Sequence, residues 1–287
     1  MKIKLFLVSI LALVLVSGCE EKKPSIATTV YPVQYLVKRI GGEDVTVTNI
    51  TENTMIQRAQ IKASFKDTLE DSDALFYIGG LEPYMDLYVD DIRNTGVDMV
   101  DLATKSAIYK FERYTSTTID GVTAGTEGPY YEGEEFANLD TYDADPMLWM
   151  DPVAMTSMAS DIRDYLVQKY PQYKDIFDEN YDAVELDLAR LDADFQAIPD
   201  GKMSISFVSM TPSFGNWQKS YGIKVYPVTL SKYGALPTSD QLAAIKKRIK
   251  SDHVRYIAIE QNLPDDMKKL QQQLIDELAL IPVNLNN

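Results

Sequence analysis

The most constraining feature of this sequence is residues 173–198, which predict one long amphipathic helix. Pro171 lies near its first turn, and Pro199-Asp200-Gly201 ends it. Apolar side chains recur at intervals of three and four residues, and most of the residues between them are charged. These apolar residues are Tyr173, Phe177, Tyr181, Val184, Leu188, Leu191, Phe195 and Ile198. At a rise of about 1.5 Å per residue the helix spans roughly 39 Å, so we expect a strut that joins two halves of the molecule.

The first eighteen residues have the pattern of a secretory signal. A basic start precedes the apolar run 5–16, which is too short for a permanent membrane span. The sequence Leu-Val-Ser-Gly-Cys that ends at Cys19 resembles a lipoprotein box, in which the cysteine is lipidated and becomes the new N-terminus. We therefore expect a signal peptide over 1–18, a lipid anchor on Cys19 and a polar tether over 19–24. This places the mature protein outside the cytoplasmic membrane.

Composition narrows the class of protein. The chain has 43 acidic and 28 basic residues, and its net charge is −15. This balance argues against nucleic-acid binding, which needs clustered Lys and Arg for phosphate contacts. A 45% share of apolar residues excludes a disordered chain. The single cysteine, Cys19, cannot form an internal disulfide.

Residues 25–172 predict an N-terminal α/β lobe, because strand-like and helix-like segments alternate along them. Strands are expected at 25–31, 45–50, 74–78 and 97–102. Helices are expected to begin at Pro32 and to cover 59–70, 81–93 and 152–169. The alternation indicates a parallel sheet with helices on its faces.

Residues 107–143 interrupt this alternation. They contain four glycines, many Tyr, Thr, Glu and Asp residues, and no sustained hydrophobic period. A long irregular segment in a compact domain is either functional or disordered, and we expect this one to lie partly on the surface near the cleft. Its aromatic residues are too numerous for a pure linker. They are Tyr109, Phe111, Tyr114, Tyr130, Tyr131 and Tyr142.

Residues 199–287 repeat the α/β pattern and predict a C-terminal lobe. Strands are expected at 204–210, 224–229, 255–259 and 281–285, and helices at 212–221, 238–250 and 264–278. Thr238 and Gln241 have the spacing of a capping box. The predicted fold is therefore α/β, with two Rossmann-like βα lobes joined by one long rigid helix and a ligand cleft between them. Ligands of open α/β sheets bind beyond the carboxyl ends of the strands.

Several motifs resemble a known family. Residues 145–152 read Asp-Pro-Met-Leu-Trp-Met-Asp-Pro and resemble that family's Asp-Pro-His-x-Trp-x-Asp-Pro. Residues 211–215 read Thr-Pro-Ser-Phe-Gly and resemble its His-Pro-Ser-Phe-Gly, with Tyr-Gly following at 221–222. The family is the zinc/manganese-type solute-binding lipoproteins of ABC transporters, also called adhesin-type lipoproteins. The resemblance covers nearly the whole mature chain and implies a binding protein that delivers a metal ion to an ABC permease.

The resemblance also shows that the ligand residues of the family are replaced. Imidazoles and carboxylates bind the ion in the family, and the matched positions here are Gln57, Met147, Thr211 and Asn286. Trp149 and Glu260 complete the candidate ligand cleft. The only histidine, His253, lies just before a predicted strand and away from every matched position. Zinc sites need thiolate, imidazole or carboxylate donors, so we expect no tightly held Zn²⁺ and no cofactor, and a bound metal ion is the alternative.

Three interpretations follow from these substitutions. The protein is a transporter's receptor for another ligand, such as a small polar molecule bound by amide and hydroxyl groups. Alternatively, the site takes a soft ion such as Cu(I), for which the thioether of Met147 is a suitable donor. Met55 and Met150 are close in sequence to the candidate positions Gln57 and Met147. In the third interpretation the ligand site is lost, and the protein is an adhesin or scaffold whose tyrosine-rich segment contacts a partner.

Enzymatic activity is not expected. Acid–base chemistry needs paired carboxylates in the cleft, and only Glu260 and Asp145 are candidates. No serine or cysteine nucleophile has a histidine partner, because His253 is misplaced for that role.

Overall fold

A computed structural model of the chain describes residues 23–52, 55–106, 108–120, 122–145, 147–200 and 204–285. The predicted signal peptide at 1–18, the candidate lipidation site Cys19 and the candidate ligand Asn286 lie outside the described residues.

The N-terminal sheet has four parallel strands in the order β2-β1-β5-β6. The strands before the first large loop are β1 (Ser25–Thr28), β2 (Thr46–Asn49), β3 (Thr51–Glu52), β4 (Gln60–Ile61), β5 (Ala74–Tyr77) and β6 (Asp98–Asp101). Helices α1 (Tyr31–Gly41), α2 (Phe65–Glu70) and α3 (Met85–Asn94) alternate with them. Strands β1 and β5 are the central pair, and their side chains are almost all buried, as expected for a sheet that is covered on both faces.

The segment 107–143 contains a β-hairpin, so the expectation of an irregular segment is wrong for part of it. Strands β7 (Arg113–Ile119) and β8 (Val122–Gly128) pair antiparallel along their whole length. The sequence signal was present: Asp-Gly at 120–121 lies between threonine-rich alternating runs, and this pair favours a two-residue hairpin turn. Asp120 has a φ of 51°, the positive value that such a turn requires.

Two helices follow and lead out of the first lobe. Helix α4 (Pro152–Lys169) has the predicted bounds. Asp151 caps its amino end, because the carboxylate accepts hydrogen bonds from the backbone N–H groups of Val153 and Ala154. Helix α5 (Lys174–Asp200) has 27 residues and confirms the predicted long helix.

The C-terminal sheet repeats the parallel arrangement in the order β10-β9-β11-β12. Its strands are β9 (Ser206–Ser209), β10 (Lys224–Pro227), β11 (Tyr256–Ile259) and β12 (Ile281–Asn284). Its helices are α6 (Gly215–Tyr221), α7 (Ser239–Ser251) and α8 (Asp265–Leu278). The predicted capping box is confirmed at α7, where Thr238 and Gln241 each bind the other's backbone N–H.

Helix α5 is attached to both lobes. Its first half packs against α1 and α4, with Phe177, Tyr181, Val184 and Leu188 buried. Near its end, the ring of Phe195 stacks on Tyr221 of α6 at 4.9 Å. Leu191 is the exception to the predicted apolar face, since 45% of it is exposed. It lies between the two attachments, where neither lobe covers the helix.

Three predicted helices begin later than expected. The helix predicted at 59–70 begins at Phe65, because Gln60 and Ile61 pair with Thr51 and Glu52 as antiparallel strands. The helices predicted at 81–93 and 212–221 begin at Met85 and Gly215. Both follow a proline that disfavours the helical conformation in the residue before it. Ala59 and Ser213, which these later starts leave outside the helices, line the cavity between the lobes.

Candidate functional site

A cavity of about 370 Å³ lies where the carboxyl ends of the two sheets face each other. From the N-terminal lobe it is lined by segments that follow β1, β2 and β3 and by residues 147–149 before α4, and from the C-terminal lobe by segments that follow β9 and β11. The lining residues are Thr29, Val30, Tyr31, Pro32, Asn49, Thr51, Met55, Ile56, Gln57, Ala59, Met147, Trp149, Thr211, Ser213, Glu260, Asn262 and Leu263.

The C-terminal wall is organised by Glu260. This carboxylate is buried, and its Oε1 accepts hydrogen bonds from the backbone N–H groups of Met210 at 2.7 Å and Thr211 at 3.2 Å. The Thr211 hydroxyl donates to Glu260 Oε2 and also lies 2.7 Å from the Ser213 hydroxyl. Three hydrogen bonds thus join this one side chain to the turn that follows β9. Glu260 therefore fixes the turn that presents Thr211 and Ser213 to the cavity.

The N-terminal wall carries Gln57, which lies in a short 3-10 helix formed by 56–58. The Gln57 side chain is only 6% exposed, and its Nε2 has no hydrogen-bond partner among the described residues. A buried donor without a partner costs about 1–3 kcal/mol. The side chains of Met55 and Met147 are buried beside the same cavity, and Trp149 is half-buried.

The position of Met147 is set from both sides of its backbone. Its N–H donates to Asp145 Oδ1 at 3.1 Å, and its carbonyl accepts from Asn216 Nδ2 of α6 at 3.0 Å. Burial raises the pKa of Asp145 to about 7, and the hydrogen bond from Met147 opposes that shift. Gly215 is required here, since a Cβ would lie 2.0 Å from Asp145 Oδ2.

A third buried carboxyl, Glu82, supports the N-terminal wall from behind. Thr29, which lines the cavity, donates its hydroxyl to Glu82 Oε1, while Glu82 Oε2 has no partner in the described part of the chain. Burial raises the pKa of Glu82 to about 7.

Arg58 ties the two lobes together at the rim of the cavity. Its Nε and Nη2 both donate to the carbonyl of Gly234, at 3.0 and 2.7 Å, and its guanidinium lies 2.9 Å from the carboxylate of Asp266. Gly234 has a φ of +66°, and a Cβ there would come within 3.1 Å of Arg58 and Met55. The glycine therefore permits this close approach next to Gln57.

The structure brings the described candidates together. Gln57, Met147, Trp149, Thr211 and Glu260 all line the one cavity, and Asn286 lies outside the described residues. His253 is exposed at the end of α7 with a φ of 55° and does not line the cavity.

Sequence reasoning missed several polar residues of the lining. They are Thr29, Asn49, Thr51, Ser213 and Asn262. Each lies at or just after the carboxyl end of a strand, and that position was the available signal.

The donor set does not fit a zinc ion. Zinc is usually held by four thiolate, imidazole or carboxylate donors, and the described residues that line the cavity contain only one such group, Glu260. Across the described residues, no three His, Cys, Asp or Glu side chains are grouped closely enough to hold a metal ion. In the same residues, no helix combines the length and apolar character needed to span a bilayer.

Two parallel-sheet lobes, a connecting helix and an interlobe cavity define the chain as a two-lobed solute-binding protein of the α/β class. A family model described as ZnuA, zinc-uptake complex component A, periplasmic, matches residues 26–284. The chain therefore belongs to this family, which comprises solute-binding proteins and not enzymes. This confirms the family and the fold class that the motifs predicted.

Individual curated relatives share low sequence identity with this chain. The zinc-binding lipoprotein AdcA of Streptococcus pneumoniae is 26% identical over 267 residues, covering 91% of this chain and 50% of the relative. The zinc-binding protein AdcA of Streptococcus pyogenes is 24% identical over 258 residues, with 87% and 48% covered. The chain thus spans about half the length of the curated relatives it matches.

Solved structures share the fold. A crystal structure of ZnuA superposes with a TM-score of 0.72 at 18% identity, covering 92% of this chain and 91% of that one. A mutant of the laminin-binding adhesin Lmb of Streptococcus agalactiae also gives 0.72 at 18% identity, with 91% and 89% covered.

Proposed function

We propose that this chain is the extracytoplasmic solute-binding component of an ABC importer, anchored through a lipid on Cys19, and that its cargo is a small polar molecule. Membership of the zinc-uptake family supports the role of receptor for a permease. The relatives are named for zinc, whereas the residues of this cavity support a different cargo.

The observation that carries the proposal is the lining of the interlobe cavity. Residues of both lobes converge on it, and their polar groups are mainly amides and hydroxyls. Its volume of about 370 Å³ lies in the range of small-molecule sites, roughly 300–1,000 Å³. Such a space is far larger than a bare ion needs, and it suits a molecule that hydrogen-bonds to both walls.

Gln57 supports a cargo with a hydrogen-bond acceptor. Its Nε2 is buried beside the cavity and has no partner among the described residues. A cargo oxygen or nitrogen atom at this point would remove the penalty of the unpaired donor. On the opposite wall, Thr211 and Ser213 are held in place by Glu260 and supply hydroxyl groups.

The test is elemental analysis and native mass spectrometry of the purified protein, with titration by Zn²⁺, Mn²⁺ and Cu(I). We expect a bound organic molecule and no stoichiometric zinc. The Gln57→Leu variant should bind this molecule roughly tenfold more weakly, as the loss of one buried hydrogen bond implies. Gln272→Leu makes the same change at an exposed position of α8 and should bind normally. Zinc bound at one equivalent by the wild-type protein would refute the proposal.

A Cu(I) site is the second candidate, because Met55 and Met147 both line the cavity. Thioethers are suitable donors for this soft ion. Met150 and Met210 do not belong to the lining. Tight Cu(I) binding that is lost in Met147→Leu, with normal folding, would favour this candidate over an organic cargo.

An adhesin or scaffold role has less support from the tyrosine-rich segment. Tyr130, Tyr131 and Tyr142 are buried, and the Tyr131 hydroxyl donates to the carbonyl of Pro227 at 2.9 Å. Side chains that pack on the chain's own lobes are not available to a partner. The likeness to the adhesin Lmb is one of fold.

A further inference from the structure

A second cavity, of about 350 Å³, lies at the opposite end of the C-terminal sheet from the cleft. Ser206 and Lys224, the first residues of β9 and β10, are register partners and both line it. Thr211 and Glu260 of the interlobe cavity instead follow the carboxyl ends of strands. The two cavities are therefore separate, and a ligand of one does not touch the other.

The second cavity is basic, although the chain carries a net charge of −15. Arg113 of β7, Lys224 of β10 and Arg248 of α7 line it, together with a single carboxylate, Asp252. Arg248 is paired with Asp252 at 2.7 Å. Among the described residues, neither Arg113 nor Lys224 has a carboxylate oxygen within 4 Å. Two cations from different elements thus converge without a countercharge.

Carboxylates in the next groove do not neutralise these cations directly. Arg113 and Arg248 also border a shallow cavity whose acidic residues are Glu132, Glu134, Glu135 and Asp240. Within the described ranges, none of those four carboxylates lies within 4 Å of either guanidinium. The positive charge at the second cavity is therefore available to an anion.

Gln218 adds an independent indication of a ligand. It lines the second cavity and is only 4% exposed. Its Nε2 donates to the Tyr130 hydroxyl at 3.0 Å, whereas its Oε1 has no partner in the described part of the chain. A buried acceptor without a partner is costly, and a ligand that carries a proton would satisfy it. The hydroxyl groups of Thr115, Ser204 and Ser206 also line the cavity.

We propose that this second cavity binds a tetrahedral oxyanion that retains a proton, namely hydrogen phosphate or the singly protonated form of the phosphate monoester group of a small molecule or lipid. Arg113 and Lys224 bind the anionic oxygens, since charge-assisted contacts to phosphate are the strong ones. Gln218 Oε1 accepts the hydrogen bond from the P–OH group. Sulfate has the same shape but no proton at neutral pH, so it binds more weakly.

The test is isothermal titration of the full chain with inorganic phosphate and with sulfate at low ionic strength, where charge interactions are least screened. A parallel flotation assay uses neutral vesicles with and without phosphatidic acid. The Arg113→Gln/Lys224→Gln variant removes the unpaired cations. The Arg190→Gln/Lys269→Gln variant makes the same change in charge at exposed positions on α5 and α8, away from the cavity.

We expect phosphate to bind the wild type and the control variant alike, and roughly tenfold or more weakly to the cavity variant. The titration in solution and the vesicle assay together show whether the bound phosphate group comes from a free phosphate or from a lipid headgroup. Three results would overturn the proposal: no binding in either arm, equal binding of phosphate and sulfate, or equal losses in the cavity and control variants. Circular dichroism of each variant confirms that the comparison is between folded proteins.

Discussion

At the scale of single residues, buried carboxyl groups hold the walls of the cleft. Glu260 positions Thr211, Asp145 receives the backbone N–H of Met147, and Glu82 receives the hydroxyl of Thr29. Each carboxyl therefore holds a residue that lines the cavity, and Glu260 lines the cavity as well. This arrangement stabilises the geometry of a site whose remaining polar groups are mainly amides and hydroxyls.

Glu82 makes the stability of the protein depend on pH. Burial raises its pKa from 4.5 to about 7 in the folded state. A raised folded-state pKa contributes stability that is complete below about 4.5 and is lost as the pH rises through 7. Glu82→Gln mimics the protonated form. We expect the decrease in unfolding free energy between pH 5 and pH 8 to be smaller in this variant than in the wild type, by up to about 3 kcal/mol. Urea unfolding at the two pH values measures this difference.

The control for this prediction is Glu134→Gln, which removes an exposed carboxylate from the segment 107–143. It should leave the pH dependence of stability as in the wild type. A Glu82→Gln variant with the full wild-type pH dependence would show that Glu82 stays ionised in the folded protein. The pKa of Asp145 is also raised to about 7 by burial. Asp145 therefore accounts for the decrease in unfolding free energy that remains in Glu82→Gln over the same pH range.

At the scale of elements, α5 acts as a strut because its two halves pack on different lobes. The first half buries Phe177 and Val184 against α1 and α4, and the second half places Phe195 against Trp217 and Tyr221 of α6. Aromatic pairs of this kind contribute about 0.5–1.5 kcal/mol beyond their buried area. The contacts of Phe195 thus hold the C-terminal lobe to the helix.

We expect Phe195→Ala to lower the unfolding free energy by about 2 kcal/mol, less than a fully buried Phe would cost because Phe195 is half-buried. Chemical denaturation monitored by the fluorescence of Trp217 measures the change. Leu191→Ala, one turn earlier on the same face but at a point that neither lobe covers, should change stability by no more than about 0.5 kcal/mol. Equal effects of the two substitutions would mean that α5 has no specific attachment to α6.

In the molecule as a whole, Arg58 lies where the rim of the cleft meets the contact between the lobes. It follows Gln57 directly and binds Gly234 and Asp266 on the other side. The ion pair is partly solvent-exposed, so its contribution is small. The two hydrogen bonds to the Gly234 carbonyl therefore provide most of the stabilisation that Arg58 gives to the contact between the lobes.

Arg58→Met keeps much of the side-chain length but removes these donors. We expect the contact between the lobes to lose about 1–2 kcal/mol, which corresponds to roughly tenfold in its equilibrium constant. Hydrogen exchange should speed up in segments 55–61 and 231–235 by a similar factor. Arg39→Met removes an exposed ion pair with Asp187 on α5 and should leave these segments unchanged. Unaltered exchange in Arg58→Met would show that other contacts hold the lobes together.

Elements with strong local signals could be predicted from the amino-acid sequence. Proline at 152 after the capping Asp151, the Thr238–Gln241 capping box and the apolar period of α5 each fixed a helix in advance. Glycine, proline and cap residues act through their own backbone geometry and neighbouring hydrogen bonds. The cleft residues Gln57, Met147 and Thr211 came from family motifs at the ends of strands and not from periodicity.

Which of these residues are in contact, and what surrounds them, depends on the tertiary structure. The bond from Arg58 to Gly234 joins residues 176 positions apart, and Thr29 reaches Glu82 across 53 positions. The exposure of Leu191 depends on where the two lobes leave α5 uncovered. No local period encodes such contacts, because they depend on how separate lobes pack. Local backbone physics sets the elements, whereas long-range burial and hydrogen bonding set the site.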